Sequence, residues 1–332
     1  MKAVVYRKYG PPNKVLEIKE VDKPAPEDDE IQVKVHAAAV NFSDWTFVRG
    51  VPFMVRMMFS VLLKPKYPIL GADIAGLVEE VGKNVTQFQP GDEVFGDVSE
   101  SGWGGFAEFV TGPENVFALK PANLTFEEAA AVPQAALVAL QGLRNEGRIK
   151  RGHKVLIVGA SGGIGTFAVQ LAKSFGAEVT GVCSTKNVDL VRSLGADHVI
   201  DYKREDFAQN GELYDLILAT AGYRPILDYK HALSPRGTYV MAGGSMKQVF
   251  EAMLKGSRMS EEGGKTLVNL EVKPSQDDLV FITDLIENGK VVPVIDSQFP
   301  LGEVAEALLH YGKGHSRGKV IIIVDSNIKL KR

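Results

Sequence analysis

Residues 155–165, Val155-Leu-Ile-Val-Gly-Ala-Ser-Gly-Gly-Ile-Gly165, decide the fold of this chain. An apolar run leads directly into a glycine-rich turn, and apolar residues then recur at helical spacing (Ile164, Phe167, Ala168, Leu171). A strand, a glycine turn and a helix in this order predict the dinucleotide-binding turn of a doubly wound α/β fold. The alternative is a strand–helix turn with a purely structural role.

The glycine positions indicate how a dinucleotide would bind. Glycines let the backbone approach a pyrophosphate closely, and the start of the helix offers free N–H groups and the positive end of its dipole. Gly162 and Gly165 occupy the second and third glycine positions of the fingerprint, while Ala160 stands at the first. The residues that we assign to cofactor binding here are Ser161, Gly162, Gly163, Ile164 and Gly165.

The end of the next predicted strand, Val182-Cys-Ser-Thr-Lys186, indicates which dinucleotide binds. It lacks the acid that binds the ribose 2′-hydroxyl in NAD sites. Lys186, with the hydroxyls of Ser184 and Thr185, would attract a 2′-phosphate through charge-assisted hydrogen bonds of about 1.5–3 kcal/mol each. The segment therefore predicts NADPH rather than NADH; alternatively, Lys186 only begins the next helix in solvent. We include Cys183 with these residues, although its place in an apolar strand favours packing over reactivity.

Strand and helix patterns divide the chain into parts. The first ~120 residues contain short strands between Gly and Pro turns, which predict a β-rich, barrel-like unit. Near Thr125 and Glu128, spaced as in a capping box, the pattern changes to strands alternating with helices, which predicts a parallel sheet. The predicted strands are 31–35, 74–81, 94–96, 104–110, 154–158, 178–182, 198–200, 214–219, 237–241, 291–295 and 319–324, with helices over 187–194 and 279–287.

Composition excludes several classes of protein. The 332 residues include 38 Lys and Arg against 41 Asp and Glu, so a net charge of -3 predicts neither a nucleic acid nor an anionic membrane as partner. The single cysteine, Cys183, excludes an intrachain disulfide and any multi-cysteine zinc site. The sequence has no signal-peptide pattern and no apolar run of membrane-spanning length, which favours a cytoplasmic protein.

Three further stretches carry a resemblance. They are Ala38-Ala-Val-Asn-Phe-Ser-Asp-Trp45, then Gly71 to Gly82 with Gln89 to Phe95, and Gly314-His-Ser-Arg-Gly-Lys-Val320. Together with the glycine turn, they resemble the medium-chain dehydrogenase/reductase superfamily, and within it the zinc-free quinone oxidoreductase (zeta-crystallin-like) branch. The resemblance implies a GroES-like catalytic domain over 1–124, a Rossmann domain over 125–288, a return to the first domain over 289–332, and a homodimer.

The residues at the zinc positions argue for a metal-free enzyme. The zinc alcohol dehydrogenases have a cysteine where this chain has Asn41 to Asp44, and Gly-His-Glu where it has Gly71-Ala72-Asp73. We therefore expect no metal. The resemblance implies that Asn41 and Asp44 lie beside the nicotinamide ribose and carboxamide, with Asp44 relaying a proton. The alternative is a loop-capping pair.

The resemblance also implies roles for residues outside the glycine turn. Tyr202 would lie beside the adenosine phosphate, Arg317 would reach the 2′-phosphate, and Gly243-Gly244 would lie where the nicotinamide binds. Their alternatives are a surface tyrosine, a solvated arginine and a plain turn. Relatives often carry threonine where this chain has Val138, so a hydroxyl contact is lost there.

Without zinc, no group strongly polarises a simple ketone, whereas quinones, enals and enones are already electrophilic. The sequence therefore favours a small apolar electrophile as substrate. The Met- and Phe-rich segment 53–63 is our hypothesis for an apolar wall over the substrate; core packing and a dimer contact are its alternatives. An enoyl-thioester reductase, an alcohol dehydrogenase-like enzyme and a non-catalytic NADPH-binding protein are the alternative functions.

Overall fold

The computed structural model describes residues 1–51, 65–221, 223–244 and 264–324. The chain forms two compact units. The first unit comprises Met1–Gln134, Pro274–Glu287 and Pro293–Arg332, and the second comprises Ala135–Lys273 and Asn288–Val292. These bounds differ from the predicted ones because the helices at 126–130 and 276–287 pack against strands of the first unit.

The strands follow the predicted alternation of short β-rich and parallel α/β segments. They are β1 Lys2–Val5, β2 Glu17–Glu20, β3 Glu30–Val40, β4 Asp73–Val81, β5 Glu93–Asp97, β6 Phe109–Pro113, β7 Phe117–Leu119, β8 Lys154–Val158, β9 Glu178–Cys183, β10 His198–Asp201, β11 Tyr214–Ala219, β12 Leu233–Met241, β13 Thr266–Asn269, β14 Ile295–Pro300 and β15 Lys319–Ile323.

The described part of the chain contains nine α-helices. They are α1 Pro12–Val15, α2 Phe42–Arg49, α3 Phe126–Ala130, α4 Pro133–Gln141, α5 Gly163–Ser174, α6 Val188–Ser193, α7 Ile226–Ala232, α8 Gln276–Glu287 and α9 Val304–Tyr311. The predicted capping box is confirmed at α3, where Thr125 Oγ1 accepts the Glu128 N–H and a Glu128 carboxylate oxygen accepts the Thr125 N–H. No helix in the described part of the chain is long and apolar enough to cross a membrane.

The first unit is built on a seven-stranded sheet in which β3 is central. Its strand order is β14-β15-β3-β4-β5-β7, and β6 also pairs with β3. The small residues Ala37 to Ala39 are fully buried where β3 lies between β15 and β4. The antiparallel register brings the end of β3, the start of β4, the end of β5 and the start of β15 to one end of this sheet.

The second unit contains a parallel sheet with the order β10-β9-β8-β11-β12-β13. Residues 155–158 and 216–219 are continuously apolar and buried, as expected for strands that are covered on both faces. The chain passes from β8 to β9 on one side and later returns to β11 on the other, so the strand order reverses at β8. In such sheets ligands bind at the carboxyl ends of the strands near this reversal. The predicted α/β fold, with a β-rich unit and a doubly wound sheet, is confirmed.

Two predicted strands are wrong in position. The strand expected at 291–295 lies at Ile295–Pro300, because Pro293 has no N–H for a sheet and Gln170 takes both backbone groups of Val292, at 2.8 and 3.0 Å. The strand expected at 104–110 lies at Phe109–Pro113. Gly104, with φ +120°, has a backbone conformation that does not fit an extended strand.

Candidate functional site

The glycine turn joins β8 to α5 as the sequence indicates. Gly159, one residue before the expected position, has φ +85° and makes the sharp turn. The N–H groups of Gly159 and Ala160 both donate to the Val182 carbonyl, at 3.1 and 3.0 Å, which holds the turn against β9. Ala160 is therefore compatible with a dinucleotide-binding turn, because Gly159 supplies the left-handed conformation.

Gly165 is required by close packing. A Cβ at Gly165 would lie 2.1 Å from the Gly159 carbonyl oxygen and 2.7 Å from Ala160 Cα, both of which are backbone atoms. By contrast, a Cβ at Gly162 would meet its nearest atom at 3.5 Å. Gly165 thus lets α5 approach the turn, while the half-buried backbone from Gly162 to Ile164 begins the helix with N–H groups that have no acceptor inside it.

The side chain of Ser161 is fixed by a hydrogen bond inside the second unit. It is buried, and its Oγ accepts a 2.8 Å hydrogen bond from Nδ2 of the buried Asn187. Asn187 follows the end of β9, so this bond ties the glycine turn to the segment predicted to bind the 2′-phosphate. No motif in the sequence indicated this role for Asn187.

The segment after β9 exposes only part of the predicted set. Thr185 and Lys186 are exposed, whereas Ser184 is buried. Cys183 is buried as well, and burial raises the pKa of its thiol to about 11, so the thiolate is scarce at neutral pH. Of the residues predicted to bind a 2′-phosphate at this strand end, Thr185 and Lys186 are therefore the exposed ones.

A carboxylate that no sequence motif indicated lies beside this segment. Asp201 ends β10 and is the register partner of Cys183. Its Oδ2 accepts a 2.6 Å hydrogen bond from Thr185 Oγ1. The neighbouring Tyr202 is exposed, and its N–H donates to the Cys183 carbonyl at 3.1 Å.

Gly243 follows β12 at the same end of the sheet. Its N–H donates to the Ala219 carbonyl at 3.0 Å, and a Cβ there would lie 2.4 Å from the Thr220 carbonyl oxygen. Gly244 follows in a partly exposed position.

Gln141 lies one turn after Val138 on α4. Both polar atoms of its carboxamide bond to the backbone of Lys273, at 2.8 and 3.1 Å, so its side chain stabilises the fold of the second unit.

The first unit contains a buried polar cluster at one end of its sheet. Lys319 Nζ donates to Asp73 Oδ2 at 3.0 Å and to Asn41 Oδ1, and Asn41 Nδ2 donates to the same Asp73 oxygen at 3.0 Å. The other Asp73 oxygen accepts the Gln134 N–H at 2.9 Å. The Asn41 carboxamide is thus fixed by one cation and one carboxylate from distant parts of the chain.

Two further acids surround the cluster. Asp44 is fully buried, and its oxygens accept the N–H groups of Asn41 at 2.7 Å and Gly71 at 2.9 Å. Burial, and then the nearby charge of Asp73, raise the pKa of Asp44 to about 7. The same two causes raise the pKa of Asp97 to about 6. Near neutral pH, Asp44 therefore exists in both protonation states. The proton-relay role of Asp44 stays a prediction.

Arg317 lies in the first unit on the loop between α9 and β15. It is exposed, and its N–H donates to Asp296 Oδ1 at 2.7 Å, while His310 Nε2 lies 2.6 Å from the other Asp296 oxygen. These contacts fix the backbone of the loop from which the Arg317 side chain extends.

Two further expectations from the sequence concern a metal site and the apolar wall at 53–63. Among residues 1–51, 65–221, 223–244 and 264–324, no group of three or more His, Cys, Asp or Glu side chains is arranged to hold a metal ion. The segment 53–63 lies outside the described residues. A cavity of about 480 Å³ in the first unit, lined partly by Val5, Ile69 and Trp103, contains none of the predicted site residues.

Lys319, Asp73 and Asp97 belong to the buried polar cluster or lie beside it, and the sequence indicated them only weakly. Lys319 precedes an apolar run, and Asp73 and Asp97 bracket short apolar strands. Charged residues are rarely fully buried unless they are paired. A charged residue next to a buried strand is therefore a candidate for a buried polar contact. Their partners could not be read from spacing, because the Lys319–Asp73 contact spans 246 residues.

Comparison with known proteins places these features in a family. Residues 194–322 match the family described as zinc-binding dehydrogenase, and residues 27–122 match the alcohol dehydrogenase GroES-like domain. The chain is 36% identical to a chloroplast envelope quinone oxidoreductase homolog of Arabidopsis thaliana, covering 97% of this chain and 98% of the relative.

Other relatives bear related names. The mitochondrial NAD(P)H oxidoreductase RTN4IP1 of Bos taurus is 36% identical, over 89% of this chain and 82% of its own. The 2-methylene-furan-3-one reductase of Solanum lycopersicum is 33% identical, over 97% of this chain and 79% of its own. A quinone oxidoreductase structure from Coxiella burnetii superposes with a TM-score of 0.85 at 28% identity, covering 98% of this chain and 99% of that one.

The chain is an oxidoreductase that works with a nicotinamide cofactor. It belongs to the medium-chain dehydrogenase/reductase superfamily, in the quinone oxidoreductase-like branch. Two features of the second unit fit such a cofactor: Gly165 lets α5 approach the glycine turn closely, and the half-buried start of α5 presents N–H groups suited to a pyrophosphate.

Proposed function

We propose that this enzyme is NADPH-dependent and zinc-independent, and that it transfers hydride to a quinone or to an activated alkene such as an enal or enone. The observation that carries the cofactor preference is the exposed Lys186, which lies just after β9, the strand that pairs with β8. A lysine there favours the 2′-phosphate that distinguishes NADPH from NADH.

The residues of the second unit would divide the work of binding. The N–H groups at the start of α5, from Gly163 onward, would hold the pyrophosphate, and the dipole of α5 adds to the attraction. Lys186 would attract the 2′-phosphate. When bound, NADPH supplies the hydride; the chain contributes binding and orientation.

The acceptor is proposed from chemistry and from the names of relatives. The positions equivalent to the zinc ligands hold Asn41 to Asp44 and Ala72, so these positions lack the cysteine and histidine that would hold zinc as a Lewis acid for a simple ketone. Quinones and conjugated carbonyl compounds accept hydride without such activation. One relative is named for a quinone and another for the reduction of 2-methylene-furan-3-one, whose exocyclic alkene is conjugated to a carbonyl.

The cofactor preference is tested by binding. We expect Lys186→Ala to weaken NADPH by roughly tenfold to 150-fold, the equivalent of one charge-assisted hydrogen bond, and to leave NADH nearly unchanged. Lys150→Ala is the matched control, because Lys150 is exposed just before β8 at the opposite end of the sheet. Equal weakening of both cofactors by Lys186→Ala would refute the preference.

The acceptor is tested by following NADPH oxidation at 340 nm with quinones, enals, enones, an enoyl thioester and a simple ketone. We expect turnover with quinones or conjugated carbonyl compounds, without zinc in elemental analysis. Fastest turnover with the enoyl thioester or the ketone would favour the alternative enzymes. Binding of NADPH without turnover of any acceptor would favour a non-catalytic protein.

The assembly and location of the enzyme are separate proposals. We propose a homodimer, which sedimentation equilibrium at micromolar concentration would test. We also propose a cytoplasmic location, which microscopy of a tagged chain would test, since the two relatives named above as chloroplast and mitochondrial proteins make organelles the competing outcome.

A further inference from the structure

We propose that Asp201 is a cofactor-specificity residue, whose carboxylate opposes the 2′-phosphate of NADPH and favours the 2′-hydroxyl of NADH. The inference rests on the proposed cofactor site. The effect of Asp201 on NADPH affinity is opposite to that of Lys186. The enzyme would therefore accept both cofactors, with the preference set by a lysine and an aspartate on adjacent strand ends.

The geometry brings the acid to the phosphate-attracting segment. β9 and β10 are parallel neighbours, and their register pairs Asp201 with Cys183, two residues before Thr185. Asp201 Oδ2 then lies 2.6 Å from Thr185 Oγ1. A phosphate that contacted the Thr185 hydroxyl would lie within about two hydrogen-bond lengths of this carboxylate oxygen, a distance at which like charges repel appreciably.

The hydrogen bond also changes what Thr185 offers a ligand. A hydroxyl has one hydrogen to donate and two lone pairs to accept with. Because the hydrogen is directed to Asp201, Thr185 presents lone pairs outward. A ribose 2′-hydroxyl can donate to those lone pairs, whereas a phosphate, whose oxygens accept, cannot use them.

The Asp201 carboxylate accepts two hydrogen bonds and lies near the charges of Arg204 and Lys203, and these contacts favour its ionised form. The hydrogen bond from Thr185 holds the pKa of Asp201 below its usual value, so the carboxylate is ionised at neutral pH. The Lys203 N–H donates to its other oxygen at 3.1 Å. Arg204 Nε lies 3.5 Å away on a side chain that is 77% exposed, where screening by water makes an ion pair weak.

Asp201→Asn tests the inference. Asparagine keeps an oxygen that can accept from Thr185 and removes the charge. We expect the ratio of NADPH to NADH affinity, measured by isothermal titration calorimetry, to rise roughly three- to tenfold over wild type. Glu178→Gln is the matched control, because it removes one negative charge at the opposite end of β9 and should leave the ratio unchanged.

The results distinguish failure of the inference about Asp201 from failure of the proposed function. An unchanged or lowered ratio in Asp201→Asn would overturn the inference, leaving the proposed function standing as long as wild type binds NADPH more tightly than NADH. If wild type binds neither cofactor, the proposed function fails first. Asp201→Ser, which also removes the charge, should raise the ratio in the same direction, and it serves as the decisive variant if Asp201→Asn does not fold.

Discussion

Replacing Lys319 with methionine tests whether one buried ammonium stabilises the polar cluster of the first unit. The Lys319 and Asp73 side chains are 5% and 0% exposed, and their charged atoms are 3.0 Å apart. Removing one partner of such a pair leaves a buried charge uncompensated, which costs about 3–5 kcal/mol. Methionine has a similar length, so little of this loss comes from packing.

The assay can be confined to the first unit. Both tryptophans of the chain, Trp45 and Trp103, belong to that unit, so their fluorescence during urea unfolding reports its stability. With a slope of roughly 2–3 kcal/mol per molar urea, we expect Lys319→Met to lower the midpoint by about 1–2 M.

The double variant Asp73→Asn, Lys319→Met separates charge pairing from other effects. It removes both charges, so we expect its stability to lie within about 1–2 kcal/mol of wild type, well above that of Lys319→Met alone. If Lys319→Met unfolds within about 0.3 M of wild type, or if the two substitutions are additive, the ion pair is not what stabilises the cluster and the reasoning fails.

Three further predictions follow from the same geometry. Because burial raises the pKa values of Asp44 and Asp97 to about 7 and about 6, the folded state binds more protons than the unfolded state above pH 4. The stability of the first unit should then rise by about 2–4 kcal/mol as pH falls from 7 to 5. Asp97→Asn should flatten the slope between pH 6 and 5, and a stability that falls over this range contradicts the burial argument. Gly165→Ala should lower the melting temperature by several degrees, because its Cβ would meet backbone atoms. Gly162→Ala should leave the melting temperature near wild type and weaken the binding of both cofactors in titration. Similar melting temperatures for the two variants would show that the contact at Gly165 relaxes easily. Cys183, the single cysteine, should react with a thiol reagent at pH 7.5 only after denaturation, and rapid labelling of the native enzyme would contradict its burial.

Local sequence patterns were sufficient for much of the second unit. The apolar strand at 154–158, the glycine turn and the amphipathic helix after it depend on neighbouring residues, and the structure places all three as predicted. The same is true of the capping box at Thr125 and of the parallel strand at 214–219. In each case the signal and the structure lie within a few residues of each other.

Proline and side-chain competition account for one misplaced strand. The apolar residues 291–295 have a strand-like composition, yet Gln170, 122 residues earlier, binds the backbone of Val292 in place of a sheet partner. Composition could not show that contact.

The sequence by itself determined the order of elements, the glycine turn and the residue types at the positions where zinc alcohol dehydrogenases have their ligands, because these depend on spacing along the chain. Only the tertiary structure decided that Lys319 neutralises Asp73 beside Asn41, and that Asp201 accepts the hydroxyl of Thr185. Those pairings depend on strand order and register in a folded sheet. The free energy that selects a register is spread over the whole apolar core, so no short segment of sequence specifies it.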